Sequence, residues 1–131
     1  MQPACAPEYS KGNSVFGKGV MSEAKSSARL VLTTMASPEE AARIGRTLVE
    51  ERLAACVTLV PGVQSIFHWK GVVEESVETL LLLKTGSDRL PALEARLHAL
   101  HSYRTPEFLV LDVDSGSQRY LDWLQACLQP A

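Results

Sequence analysis

The sequence predicts an α+β fold on an antiparallel sheet, with elements in the order β-α-β-β-α-β plus a C-terminal helix. Three observations carry this. Residues 55–85 form two arms rich in Val, Leu and Ile around Lys70-Gly71, and a two-residue loop containing Gly between such arms marks a β-hairpin. Short apolar runs at 29–35 and 107–113 flank that hairpin. Stretches beginning near Ser37, Ser87 and Ser117 combine cap residues with apolar spacing of helical period.

The elements follow in order. Residues 1–27 are rich in Ser, Gly, Lys and Pro and read as a disordered tail or upstream extension. Met21 is a credible natural start, and no apolar h-region of a secretory signal is present. The domain proper is 28–131. Run 29–35 (RLVLTTM) is a central strand. Ser37 is an N-cap, Pro38 the first helical residue, and Glu40 completes a capping box. Ala41, Ile44, Leu48 and Val49 form one apolar stripe continuing to Leu53, in a helix ending near Ala54.

In the hairpin, Trp69 faces Val72, His68 faces Val73 and Phe67 faces Glu74. Pro61-Gly62 marks a bend or bulge. Glu74, Ser76 and Glu78 form a solvated acidic set, whereas both faces look buried toward Lys84. Each arm of about 14 residues spans about 45 Å, against a radius of gyration of about 13 Å for a 100-residue domain. The ribbon therefore overhangs its own body, and its Ile66, Phe67 and Trp69 call for a second copy: an obligate oligomer.

Beyond the hairpin, Ser87 or Asp88 caps a helix with Pro91 in its first turn and Leu90, Leu93, Leu97 and Leu100 inward. Run 107–113 is the next strand. Ser117 caps a last helix, 118–128, with Tyr120, Leu121, Leu124 and Leu128 inward. The first six elements match the ferredoxin-like split βαβ arrangement.

Composition excludes several classes. The 131 residues suit one domain, and their 46% hydrophobic and 21% charged content is that of a globular protein. A net charge of −2 argues against nucleic acid as a partner. No apolar run reaches the roughly 18 residues of a membrane span. The three cysteines, Cys5, Cys56 and Cys127, include no CxxC pair and are read as reduced thiols, which places the protein in the cytoplasm. Cys56 and Cys127 read as small buried hydrophobes. No nucleophile–base motif, phosphate loop or dinucleotide fingerprint points to an enzyme.

Taken together, AACVTLVPGV at 54–63, Ser65-Ile66, Trp69-Lys70-Gly71, SPEEA at 37–41, LLKT at 82–85, YRTPE at 103–107 and YLDWL at 120–124 resemble the CutA divalent-cation-tolerance family, in family order. The resemblance implies a ferredoxin-like protomer, a homotrimer with intersubunit strand pairing, a shape related to the PII signalling proteins, and a link to copper and other divalent cations. It also implies a metal site. His101 and Glu107 match directly, and Met35 stands where some members have a metal-binding Cys. Imidazole suits copper or zinc, and a thioether favours Cu(I) over Cu(II). The plainer readings are a helix-end histidine favoured by the dipole and a core methionine. Tyr103, Pro106, Trp69 and Lys84 are expected to line a cleft between subunits. The expectation is a non-catalytic trimer in divalent-cation tolerance. The alternative is a PII-like sensor that binds a small anion or a partner protein in those clefts.

Overall fold

A computed structural model describes residues 26–130. The expected tail therefore lies outside the described residues, except for Ser26 and Ser27. Four strands and three helices follow in the predicted order: β1 (Ala28–Met35), α1 (Pro38–Glu50), β2 (Cys56–Trp69), β3 (Val72–Gly86), α2 (Leu90–Leu100), β4 (Leu109–Asp112) and α3 (Gln118–Cys127). The sheet order is β2-β3-β1-β4, and every neighbouring pair is antiparallel. β1 thus lies between the two strands that the chain forms last, β3 and β4.

The hairpin has the expected register, with Trp69 opposite Val72 and Phe67 opposite Glu74. Lys70 and Gly71 both have positive φ (51° and 83°), the signature of a type I′ turn, whose twist matches the strands it joins. A register shift between Val60 and Val63 confirms the bulge, and Gly62 there sits at φ 75°. β1 ends at Met35, opposite Thr79. Beyond that row the hairpin runs on as two strands, with no third strand alongside among the described residues.

One sheet face carries Val31, Met35, Leu81 and Leu83. It packs against Ala41, Ile44 and Leu48 of α1 and Leu93 and Leu97 of α2, all with no exposure. Each such aliphatic side chain gains about 1.5–3 kcal/mol from burial. Leu80 and Leu82 on the opposite face are only half-buried. The reading of both faces as buried fails there, because α1 and α2 lie on one side. α3 builds its own smaller cluster with Ala28, Ala55, Trp123, Leu124, Cys127 and Leu128. Trp123, absent from the expected inward set, is buried there, while Tyr120 and Leu121 pack at its margin.

Three helix boundaries differ from expectation. α1 stops at Glu50 rather than Ala54, because Arg52 turns into the left-handed region at φ 60° and ends the helical path. The Arg52 guanidinium then donates to the carbonyl of Cys127. α2 has no side-chain cap, since a 3-10 turn over Ser87–Arg89 leads straight into it. The capping box of α1 is half made. Ser37 accepts from the Glu40 amide, but the Glu40 carboxylate is used elsewhere, in the loop described next.

Candidate functional site

The loop between α2 and β4 gathers the polar groups that the sequence singled out. His101 ends α2 in an extended conformation (φ −73°, ψ 142°) and is only 8% exposed. Its Nε2 lies 2.8 Å from the carbonyl oxygen of Thr34. Its Nδ1 accepts the amide N–H of Tyr103 at 3.0 Å. A carbonyl needs a donor and an amide needs an acceptor, so the imidazole is neutral with its proton on Nε2.

Two buried carboxylates hold the next two residues. Glu40 of α1 accepts from the Ser102 amide at 3.0 Å and from the Ser102 hydroxyl at 3.1 Å. Glu78 of β3 accepts from the Tyr103 hydroxyl at 2.6 Å. Each glutamate is 8% exposed. Hydrogen bonds to a charged acceptor contribute about 1.5–3 kcal/mol each, and buried carboxylates without donors would be costly. Burial first, and then the bond to Glu78, raise the Tyr103 phenol above its ordinary value. Tyr103 therefore stays a donor over the physiological range. Its ring tilts against that of His101, with centroids 4.8 Å apart.

Neither glutamate was legible as a site residue. Glu40 had a visible role in the capping box, and nothing in the sequence showed that the role would be given up. Glu78 was read as part of the solvated acidic set. It is buried because it stands one residue from the row where β1 ends, and Tyr103 reaches it there.

The expected metal donors do not meet as a ligand set. Both ring nitrogens of His101 are engaged. Met35 has no exposure and belongs to the core under α1 and α2. Glu107 is exposed. Among the described residues, no group of three or more His, Cys, Asp or Glu side chains is placed to hold a metal ion.

The expected cleft residues are also spread apart within one protomer. Tyr103 lies on Glu78. Lys84 is six residues along β3, which at about 3.3 Å each is about 20 Å away. There its Nζ donates to Thr58 Oγ1 at 2.6 Å and to Cys56 Sγ at 3.5 Å. Trp69 is at the far hairpin tip, 57% exposed, with the Lys70 ammonium 5.7 Å from its ring centroid. Pro106 is half-buried in the loop that leads to β4. Cys56 is a free thiol, whereas Cys127 is disulfide-bonded, so among the described residues the expectation of reduced thiols holds at Cys56 and fails at Cys127.

Comparison with known proteins points one way. A profile of the family described as CutA1 divalent ion tolerance protein matches residues 29–127. The chain is 50% identical over 96 residues to a divalent-cation tolerance protein CutA of Thermus thermophilus, covering 73% of this chain and 93% of that one. It is 38% identical over 96 residues to the chloroplastic protein CutA of Arabidopsis thaliana, covering 73% of this chain and 53% of that protein. Among solved structures, CutA from Xylella fastidiosa superposes with a TM-score of 0.78 at 40% identity, covering 79% of this chain and all (100%) of that one.

Proposed function

The chain belongs to the CutA1 divalent ion tolerance family, and from that premise we propose that it serves divalent-cation tolerance as a non-catalytic homotrimer that takes up copper weakly at His101. The observation that carries the reading is the 50% identity to a protein named for divalent-cation tolerance. The trimer is supported by the exposed apolar ribbon, where Ile66, Phe67, Trp69, Val72, Val73 and Val77 are all more than 40% exposed. A lone ribbon of that kind is unfavourable in water.

Copper uptake is supported by donor chemistry at one residue. Imidazole nitrogen suits copper and zinc, whereas the thioether of Met35, the type that favours Cu(I) over Cu(II), is held in the core under α1 and α2. Weak affinity follows from the same geometry, since a cation must compete with the hydrogen bond on Nδ1. A non-catalytic role is in keeping with a neutral, doubly bonded histidine and a phenol held as a donor. The cysteines do not carry a cytoplasmic place, since Cys56 is a free thiol but Cys127 is disulfide-bonded. No helix among the described residues is long and apolar enough to cross a membrane. The anion-sensor alternative gains no support within one protomer, because Tyr103, in the α2–β4 loop, lies on Glu78, whereas Lys84 is about 20 Å further along β3.

Native mass spectrometry of the full chain, titrated with Cu(I) under reducing conditions and with Cu(II), tests the reading. A trimer that gains three Cu(I), and loses them on His101→Ala, is the expected result. A monomer, or copper uptake unchanged by His101→Ala, would sink it.

A further inference from the structure

The sheet face that α1 and α2 leave uncovered ends in a corner with a positive charge and unused donors. We propose that Lys84, Thr58 and Cys56 form a binding site for the oxyanion group, carboxylate or phosphate, of a small ligand. The site includes none of Tyr103, Pro106 and Trp69, and it does not rest on the cation reading of His101.

Strand alternation sets the corner up. Leu81 and Leu83 lie under the helices, so Glu78, Leu80, Leu82 and Lys84 share the other face of β3. The register places Lys84 between Cys56 of β2 and Leu30 of β1, and Leu82 beside Thr58. The nearest carboxylate on this face of β3 is Glu78, about 20 Å away and already bonded to Tyr103. No ion pair among the described residues involves Lys84. Its ammonium is therefore half-buried among leucines without a counter-charge. Such a charge is costly to leave uncompensated, and apolar neighbours strengthen its attraction for an anion.

The hydrogen bonds in the corner leave donors over. Lys84 Nζ donates to Thr58 Oγ1 at 2.6 Å and to Cys56 Sγ at 3.5 Å. An ammonium has three N–H groups, so one remains. A hydroxyl that accepts from an ammonium keeps its own proton for another acceptor, and the Cys56 thiol does the same as a weaker donor. An oxyanion, with several lone pairs and a charge, is the complement of that set. The same set repels a metal ion. Thr58 is exposed, and Lys84 and Cys56 are half-buried, so a ligand reaches them from solvent without any rearrangement. Cys56 also packs against the α3 cluster, where the indole N–H of Trp123 is buried with no acceptor. The start of β2 is fixed beside Lys84 by the Ala55 amide, which donates to the Lys84 carbonyl at 2.8 Å.

The test titrates the full chain with inorganic phosphate and, separately, with benzoate. Two-dimensional NMR follows the amides of residues 56–58 and 84 and the Trp123 indole N–H, and calorimetry gives the affinity. A saturable shift confined to those signals is expected with at least one probe, and the tighter probe tells phosphate from carboxylate. Lys84→Met should weaken binding about 10-fold or more, and Thr58→Val by less, about 5-fold. Lys84→Arg, which retains the charge, should bind within a few-fold of wild type. A lysine that only supports the fold would lower the melting temperature of Lys84→Met while neither probe bound the wild type, and that result would overturn the site. Equal affinity in wild type and Lys84→Met would overturn it too. Copper uptake is measured separately, so either reading can fail while the other stands.

Discussion

The two halves of the β2–β3 hairpin are made of similar residues and have opposite fates. Near the body, Leu81 and Leu83 have no exposure, whereas toward the tip Val77, Val73 and Ile66 are 68%, 59% and 64% exposed. The difference is not propensity, since Val and Ile are as suited to strands as Leu or better. It is where β1 stops. Its last residue, Met35, pairs with Thr79, and from there outward no third strand or helix among the described residues lies alongside. A strand's burial is thus set by its neighbours rather than by its own composition. The outer half has the apolar content of a core and lacks one among the described residues of its own chain.

That contrast can be broken or sharpened by experiment. Leu81→Ala, in the inner half, should cost about 2–5 kcal/mol of unfolding free energy, because the surrounding layers of α1 and α2 cannot collapse into the gap. Chemical denaturation measures it. A cost near zero would mean that the inner half is not the core. Trp69→Ala, in the outer half, should leave the protomer's secondary structure intact by circular dichroism and weaken assembly by about 2 kcal/mol, as truncation of a buried aromatic anchor does. Sedimentation over a dilution series reads that shift, and an unchanged dissociation curve would remove the ribbon from the interface.

The smallest expected effect lies at the junction of the halves, where Tyr103 bonds Glu78. The Tyr103 phenol titrates above its ordinary value of 10.0 in the folded chain, chiefly through burial and then through Glu78. The folded state holds that proton longer than the unfolded one. This contribution to stability is therefore complete below about pH 10 and is lost as pH rises through the higher folded value. Tyr103→Phe should flatten the alkaline arm of the stability curve. An arm of equal slope in both proteins would show that the phenol is not the group responsible.

The hairpin shows how much of the molecule was legible. Lys70-Gly71 set the turn and the register because a two-residue loop with positive φ at both positions matches the twist of the strands it joins. Pro61-Gly62 marked the bulge for a similarly local reason. The helix starts at Ser37 and Ser117 were readable from their caps, and the Ser87 start was not, because a 3-10 turn replaced the cap. The site was legible in two residues of its network, His101 and Tyr103, the latter as an expected cleft residue. His101 stood out by type and by resemblance. Glu40 was visible only in its local role and Glu78 only as surface charge, since their partners are 62 and 25 residues away in the chain.

What the sequence determined by itself is the set of elements, their order, the hairpin register and the family, because caps, turns and apolar periods act over a few residues. The tertiary structure alone decided which carboxylates are buried, which nitrogen of His101 carries the proton, and where the ribbon loses its neighbours. Those outcomes depend on contacts between β1, α1, β3 and the α2–β4 loop, and a bond across that distance leaves no periodic trace in the chain.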